Sequence, residues 1–210
     1  MLNIDKVYVA HYLPLKDRKE NIDSGFDFDF TYITNEPETK YWDIDAELWN
    51  IKTSEPKRHM SQAEISLAHK HIKIYEDIIH NQYERALIFE DDVILCDNFI
   101  SRFNYNLSQT PNWDFIFIGN GCNLRINQSL IKPGIIAYKK NHPATKCTDS
   151  YCVTLESIES IYEDIRYFTL PIDFELNYQL QHHNLDVYWW DPPLVEQGSQ
   201  IGTYKTAIQN

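Results

Sequence analysis

The sequence predicts an α/β fold in a single domain spanning residues 1–210, with a mostly parallel central sheet flanked by helices. Short apolar runs of strand length alternate with longer amphipathic segments along the chain. A chain of 210 residues suits one domain with a sizeable core. With 43% hydrophobic residues, 6 glycines and 9 prolines, the composition excludes a disordered or low-complexity protein.

The N-terminal part of the chain is predicted to alternate between strands and helices. Residues 6–10 are apolar and β-branched, which favours a strand, and the charged residues 15–21 favour a helix. Aromatic and acidic residues alternate over residues 26–33, as expected of a half-buried strand. Residues 35–59 are polar and contain two prolines, so we expect a loop there, with a short helix near residues 42–49.

The clearest helix of the sequence is predicted to begin after Ser61 and to end near Asn81. Ser61 and Glu64 have the spacing of a capping box. The apolar residues that follow are spaced by three or four positions, which places them on one face of the helix. They are Ile65, Ala68, Ile72, Tyr75 and Ile79.

Four further strands are predicted downstream of this helix. Residues 86–89, 115–118 and 151–153 are continuous apolar runs, as expected of strands that are covered on both faces. A last strand is expected over residues 185–190, where two prolines end it. Tryptophans 189 and 190 close this strand, and we expect at least one of them in the core.

Two helices are predicted between the last two strands. Thr154 is placed to cap a helix whose apolar residues share one face as far as Ile165. Pro171 suits the first turn of the next helix. Asp173 and Glu175 then lie near the positive end of that helix.

Three acidic residues, Glu90, Asp91 and Asp92, come directly after the predicted strand 86–89. Ligands of α/β proteins bind at the carboxyl ends of the strands. Carboxylate oxygens are the ligands that Mg²⁺ and Mn²⁺ prefer. Three acids alone could equally form a solvated turn, but their place at a strand end favours a divalent-cation site.

Charge and hydropathy exclude several classes of protein. The chain has 31 acidic and 19 basic residues, and its net charge of −12 opposes sequence-independent binding to nucleic acid or anionic membranes. No apolar run approaches the ~20 residues of a transmembrane helix. The N-terminal residues lack the pattern of a signal peptide, so we expect a cytoplasmic protein.

Several catalytic motifs are absent from the sequence. Neither a G-x-x-x-x-G-K-[ST] loop nor a G-x-G-x-x-G turn occurs, which argues against P-loop and Rossmann proteins. The G-x-S-x-G motif of serine hydrolases is also missing. A nucleotide diphosphate bridged by a metal ion fits this acidic chain better than one held by a basic patch.

The cysteines and histidines suggest no metal site of their own. The four cysteines include no C-x-x-C pair, so we expect four free thiols. His69 and His71 are two positions apart on a helix and point in different directions, which excludes the H-x-x-x-H type of metal pair. We expect His71 at the surface.

The order of these segments resembles glycosyltransferase family 25 over almost the whole chain. That family includes bacterial lipooligosaccharide galactosyltransferases and collagen hydroxylysine glycosyltransferases. The segments that resemble it are the first strand with Asp17 and Arg18, the long helix with Glu64 and His69, the acids at 90–92, and residues 113–119, 171–173 and 192–199. The sequence departs from the family pattern at His11 and Tyr12, where Asn-Leu is common, and at Ala68, where serine is usual.

The resemblance implies a GT-A fold and transfer of a hexose from UDP-galactose or UDP-glucose, with inversion, to a hydroxyl of a glycan or hydroxylysine. It also implies Mn²⁺ or Mg²⁺ as cofactor. By resemblance, residues 90–92 correspond to the D-x-D motif. Asp92 is then the expected metal ligand, Glu90 a second ligand, and Asp91 or Glu90 a contact of the nucleotide ribose.

The resemblance extends to further site residues. Those expected to contact the donor are His11, Arg18, His69, Gln197 and Ser199. For His69 a structural role is an equal alternative. Asp173 is the expected general base with Glu175 as the second candidate, although an acid at a helix N-terminus also serves the helix dipole.

Two other classes of function would use the same features. A metal-dependent phosphohydrolase of nucleotide sugars would use the same acids with water as acceptor. A catalytically silent sugar-binding scaffold would retain the fold alone. Sugar transfer that requires an added acceptor distinguishes a glycosyltransferase from both.

Overall fold

The computed structural model of the chain describes residues 1–39, 42–140 and 142–205, and within them it contains nine strands, six α-helices and two short 3₁₀ helices. The strands are β1 (Lys6–Ala10), β2 (Thr31–Ile33), β3 (Arg85–Glu90), β4 (Val93–Leu95), β5 (Phe115–Phe117), β6 (Ala137–Lys139), β7 (Ser150–Thr154), β8 (Val187–Trp190) and β9 (Val195–Gln197). The helices are α1 (Lys16–Gly25), α2 (Ala46–Lys52), α3 (Gln62–Asn81), α4 (Phe99–Gln109), α5 (Leu155–Ile165) and α6 (Ile172–His182).

Seven of the strands form the central sheet, in the order β2-β1-β3-β7-β5-β8-β6. Five of them run in one direction, while β7 and β6 run in the opposite direction. The predicted α/β class with a mostly parallel sheet is confirmed. Because β7 is antiparallel to its neighbours, it begins at the edge of the sheet where β3 and β5 end.

The sheet is buried on both faces, as its continuous apolar strands require. In β3, Ile88 faces a core that includes side chains of α3, α5 and α6. Leu87 and Phe89 face the second core, which contains side chains of α1 and α4. The remaining two strands, β4 and β9, pair with each other beside the main sheet.

The long helix α3 forms as its sequence predicts. The hydroxyl of Ser61 accepts a hydrogen bond from the Glu64 backbone N–H (3.2 Å), and the Glu64 carboxylate accepts one from the Ser61 N–H (2.7 Å). The capping box is therefore confirmed. The helix ends at Asn81, and the following residue, Gln82, has a positive φ of 55°.

Some secondary-structure predictions from local sequence patterns differ from the structure. Only Thr31–Ile33 of the predicted strand 26–33 is a strand. The aromatic rings before it pack with other rings instead; Phe26, for example, lies 5.1 Å from Phe89 between ring centroids. Local sequence patterns did not predict α4, β4, β6 or β9. The predicted loop 35–59 does contain a short helix, α2, and it includes Lys40 and Tyr41, which lie outside the described residues.

The burial of two tryptophans and one histidine can be compared with the predictions. Both Trp189 and Trp190 are buried, which confirms the core position expected for at least one of them. His71 is also fully buried, so its predicted surface position is wrong. No helix in the described part of the chain combines the length and the apolar character needed to cross a membrane.

The prediction of four free thiols is wrong. Cys122 and Cys147 form a disulfide, with their Cα atoms 6.4 Å apart, while Cys96 and Cys152 are free. The bonded cysteines are 25 residues apart and meet only because the loops after β5 and before β7 converge.

Candidate active site

The three consecutive acids lie where β3 ends. Glu90 is the last residue of the strand, and Asp91 and Asp92 form the turn that leads into β4. Their exposed fractions are only 9%, 6% and 4%. This burial excludes a solvated turn. Buried carboxylates need hydrogen-bond partners or compensating charge.

The carboxylate of Asp91 is fully engaged with the protein. One oxygen lies 2.8 Å from His11 Nδ1 and accepts a hydrogen bond from the Tyr12 N–H (3.1 Å), and the other accepts one from Arg18 (2.7 Å). Burial alone would raise the pKa of Asp91, but its bonds to His11 and Arg18 hold that pKa below its ordinary value. Asp91 thus fixes the segment after β1, and it brings the predicted donor contacts His11 and Arg18 together.

The carboxylate of Asp92 is in the opposite state. Its Oδ1 atom is buried and has no hydrogen-bond partner among the described residues. Burial, together with the charge of Glu90, raises the pKa of Asp92 to about 6, although the hydroxyl of Ser199 acts to lower it. Asp92 therefore has an oxygen available for a ligand.

A fourth acid, Asp149, joins this region and was missed by sequence reasoning. It precedes β7, its backbone carbonyl accepts a hydrogen bond from the Glu90 N–H (2.9 Å), and its side chain is fully buried. Its Oδ2 accepts a hydrogen bond from Ser150 (2.8 Å), whereas Oδ1 has no partner among the described residues. Burial, followed by the charges of Glu90 and Asp92, raises the pKa of Asp149 well above its ordinary value.

We call Glu90, Asp92 and Asp149 the acid cluster. The one sequence signal for Asp149 is an acid directly before a buried strand. That signal becomes useful only when the strand is known to be antiparallel, because only then does its first residue lie at the edge where β3 ends.

Glu90 is held from two sides. Its Oε1 accepts a hydrogen bond from the Thr148 hydroxyl (2.6 Å) and lies 3.8 Å from His71 Nε2. The other nitrogen of His71 is 2.7 Å from the Tyr151 hydroxyl, which in turn is 2.7 Å from the hydroxyl of Tyr75. Thus His71, not His69, is the histidine of α3 that lies beside the acid cluster.

Two cavities meet at Glu90. The first, of about 310 Å³, is lined by the segment after β1 and by α3, including Tyr12, Arg18, Lys70 and Asp91. The second, of about 720 Å³, is lined by Thr148, Asp173, Gln197, Ser199 and the disulfide. Glu90 and Leu67 line both cavities.

Glycine is required at two positions around Asp149. A Cβ atom at Gly119 would lie 2.0 Å from Oδ2 of Asp149, and one at Gly121 would lie 1.9 Å from the Lys146 carbonyl oxygen. No side chain fits at either distance. The chain after β5 can therefore approach the acid cluster only through glycines.

Asp173 lies at the start of α6 and lines the second cavity, as Glu90 does. Its Oδ1 accepts a hydrogen bond from the Phe174 N–H (3.0 Å). Burial raises the pKa of Asp173 to about 6, and the charge of Glu90 contributes to the rise. A carboxyl group with such a pKa is a carboxylate at neutral pH and is poised to accept a proton.

The structure corrects the expectation for Glu175. Its carboxylate is fully buried and forms an ion pair with Lys52 (2.5 Å). It also accepts hydrogen bonds from Gln179 (3.0 Å) and from the backbone N–H groups of Thr169 and Leu170. Glu175 does not line the second cavity, because two residues along a helix turn the side chain away from the side on which Asp173 lies.

The other predicted donor contacts are divided between two places. Gln197 and Ser199 line the second cavity, and the Gln197 N–H donates a hydrogen bond to the Asn120 side chain (2.9 Å). His69 instead lines a separate cavity with Trp42 and Phe168. The structure therefore does not bring His69 together with the acid cluster.

The acid cluster offers buried oxygens of the kind that bind divalent cations. Two of its buried oxygens, Asp92 Oδ1 and Asp149 Oδ1, have no partner among the described residues. The charge of Glu90 raises the pKa of both aspartates, and the positive charges of Arg18, acting on Asp92, and Lys146, acting on Asp149, offset this rise only in part. Mg²⁺ and Mn²⁺ prefer oxygen ligands of this type.

Two solved structures are similar to the chain at low sequence identity. The crystal structure of A197 from STIV has 12% identity and a TM-score of 0.47, covering 91% of this chain and 83% of that one. A glycosyltransferase involved in the glycosylation of the major capsid of PBCV-1 has 14% identity and a TM-score of 0.45, covering 91% of this chain and 92% of that one. No curated protein sequence matches the chain.

The chain also matches a family model. The model of glycosyltransferase family 25, described as an LPS biosynthesis protein, matches residues 15–176. The match includes Arg18, the acid cluster and Asp173, whereas His11, Gln197 and Ser199 lie outside it. Because it covers well over half of the sequence, the chain belongs to glycosyltransferase family 25.

Proposed function

We propose that this glycosyltransferase moves a hexose, galactose or glucose, from a UDP-sugar to a hydroxyl of an acceptor glycan or of hydroxylysine, with inversion and with Mn²⁺ or Mg²⁺. The observation that supports the proposal best is the buried acid cluster, since one of its members, Glu90, lines two separate cavities. One cavity would take the nucleotide and the other the acceptor.

The first cavity suits the nucleotide. The ring of Tyr12 is 46% exposed there and offers an aromatic face to a base. Lys70 also lines this cavity; its amino group contacts Ser66 (2.6 Å) and the Glu36 carboxylate. Arg18 is held by Asp91, so its role is to keep the wall of the cavity in place.

Glu90, Asp92 and Asp149 would hold the cation. When bound, a divalent cation neutralises charge that develops on a diphosphate leaving group. The chain's own contribution is to hold these carboxyl groups at one end of the sheet and out of water. Ser199 and Thr148 assist by hydrogen bonding to Asp92 and Glu90, respectively.

The second cavity suits the acceptor. Asp173 lines this cavity and not the first, while Arg18 lines the first and not the second. A base that is separate from the nucleotide is what a single displacement with inversion needs, because the acceptor hydroxyl and the leaving group occupy opposite sides of the sugar. Asp173 would accept the proton of that hydroxyl as it attacks.

The decisive experiment measures UDP release from a panel of UDP-sugars with Mn²⁺, with and without candidate acceptors. We expect Asp92→Ala to abolish metal-dependent transfer while its melting temperature stays close to that of the wild type. Asp97→Ala, which changes an exposed acid five positions away, is the matched control and should transfer normally. Wild-type rates in Asp92→Ala, or full activity of the native protein in excess chelator, would refute the proposed metal role.

The same assay separates the other classes of function. A nucleotide-sugar phosphohydrolase would cleave the donor equally fast without acceptor. A silent sugar-binding scaffold would bind the donor without turnover. Acceptor-dependent release of UDP is expected only of a transferase.

A further inference from the structure

Three metal-ligating side chains lie together at the far end of α6. Asp164 belongs to the last turn of α5, His182 is the last residue of α6, and His183 follows it. One ligand atom from each lies within 4.8 Å of the other two, and His183 Nε2 is 2.9 Å from Asp164 Oδ2. His182 is nine residues beyond Asp173, so the group lies roughly 14 Å along the helix from the second cavity.

The chemistry of this group differs from that of the acid cluster. It offers two imidazole nitrogens and one carboxylate oxygen. This set suits Zn²⁺, whereas Mg²⁺ and Mn²⁺ prefer oxygen ligands. Ligand atoms around a tetrahedral Zn²⁺ are roughly 3.4 Å apart, given bond lengths of about 2.0–2.1 Å. The separations in this group are at most 4.8 Å, so none has to shorten by more than about 1.4 Å to reach that geometry.

The backbone explains how two consecutive histidines can face one acid. Neighbouring residues within a helix point about 100° apart. Here α6 ends at His182, and His183 has φ −88° and ψ 2°, outside the regular helix. The two rings lie 5.1 Å apart between centroids, and the His182 ring is stacked on Tyr178 at 5.5 Å, which restricts its orientation.

We propose that Asp164, His182 and His183 bind Zn²⁺, with water completing the coordination, and that the ion joins the ends of α5 and α6. The Asp164 and His183 side chains are 53% and 23% exposed, so a metal ion can reach them from solvent. The competing explanation is a surface ion pair between Asp164 and His183. Such a pair contributes about 0–1 kcal/mol and binds no metal.

Calorimetric titration of the whole chain with Zn²⁺, in excess Mg²⁺ to occupy the acid cluster, tests the proposal. We expect His182→Gln, His183→Gln and Asp164→Asn each to weaken the Zn²⁺ affinity of this site at least tenfold. His80→Gln is the matched control, since His80 is also an exposed histidine in the last turn of its helix. Asp92→Ala should retain the site, because this proposal does not depend on the proposed transfer reaction.

Thermal melting provides an independent readout. Zn²⁺ should raise the melting temperature of the wild type and of His80→Gln, but not that of His182→Gln. Without metal, these three proteins should melt alike, because these side chains are largely at the surface. Zn²⁺ affinities that are equal in the wild type and all three ligand variants, or no binding at millimolar Zn²⁺, would overturn the proposal.

Discussion

Asp91 and Asp92 are neighbours in the chain, yet their carboxyl groups have opposite environments. Asp91 has hydrogen bonds on both oxygens and a lowered pKa, whereas Asp92 has an unpaired buried oxygen and a raised pKa. The difference arises because Asp91 faces Arg18 and His11, while Asp92 faces Glu90. Asp91 therefore positions the walls of the site, and Asp92 is the one left free for a ligand.

At the same scale, the pKa of Asp173 leads to a prediction for the pH dependence of transfer. A general base acts only when deprotonated, so with a pKa of about 6 the rate should fall as the pH drops below about 6. In the proposed reaction, saturating Mn²⁺ would keep both Asp92 and Asp149 ionised, which leaves this acid limb to Asp173. Asp173→Asn should lose about 10²–10⁴-fold in kcat at pH 7.5, as measured by UDP release.

Melting curves distinguish the roles of this residue. Asn keeps the acceptor that bonds the Phe174 N–H, so the melting temperature of Asp173→Asn should stay near the wild-type value. A variant that melts early but transfers at the wild-type rate would show that Asp173 only stabilises the start of α6.

Glu175 should behave in the opposite way. Glu175→Gln leaves the ammonium group of Lys52, whose side chain is only 7% exposed, without its partner carboxylate. Loss of one partner from a buried ion pair costs about 3–5 kcal/mol in the free energy of unfolding, which urea denaturation can measure. Glu163→Gln, at a side chain that is 77% exposed, is the control and should change little. Unchanged stability with lost transfer would instead make Glu175 catalytic.

At the scale of elements, the direction of β7 decides the composition of the site. If β7 ran parallel to β3, its first residue would lie at the opposite edge of the sheet. Because it is antiparallel, Asp149 lies next to Glu90, and Phe89 pairs with Ser150. The chain just after β5 also approaches the Asp149 carboxylate, at Gly119.

The close approach at Gly119 yields a prediction for that strand end. In Gly119→Ala the new Cβ atom would lie 2.0 Å from the Asp149 carboxylate and must displace it. We expect a loss of about 1–3 kcal/mol in stability, together with loss of metal-dependent transfer. Gly25→Ala, where nothing lies within 4 Å of the added atom, is the control. Normal transfer in Gly119→Ala would show that the position of Asp149 is not needed.

At the scale of the whole molecule, the second cavity is assembled from distant parts of the chain. Its walls include the segment before α3, the start of α6, the segment after β9 and the disulfide. The disulfide joins two of the loops that carry the site, since Cys147 lies two residues before Asp149. The shape of this cavity therefore depends on contacts between residues that are distant in the chain.

Loss of this disulfide should lower global stability. The two cysteines are 25 positions apart in the sequence, and closing a loop of this length stabilises a folded chain by about 3 kcal/mol. Cys122→Ser should therefore unfold at lower urea concentration, and the wild type under reducing conditions should match it. Cys96→Ser, at a free thiol, is the control. Equal midpoints for Cys122→Ser and the wild type would contradict the assignment.

Features that depend on neighbouring residues could be predicted from the amino-acid sequence. The capping box and apolar face of α3, the buried run of β3 and the Thr154 cap of α5 were all predicted, because hydrogen bonds and periodicity within about ten residues decide them. The acids after β3 were recognised for the same reason. Family resemblance added Arg18 and Asp173, which the structure places on the two cavities beside Glu90.

Which residues share the site depends on the tertiary structure. Asp149 joins the acid cluster because of strand direction, and His71 is buried because α3 turns that face towards the Glu90 side of the sheet. Cys122 and Cys147 meet through loop convergence, and Glu175 is removed from the cavity by its ion pair with Lys52. Each of these facts depends on residues distant in the chain. Local spacing holds no information about such contacts, since they are fixed by how the sheet packs as a whole.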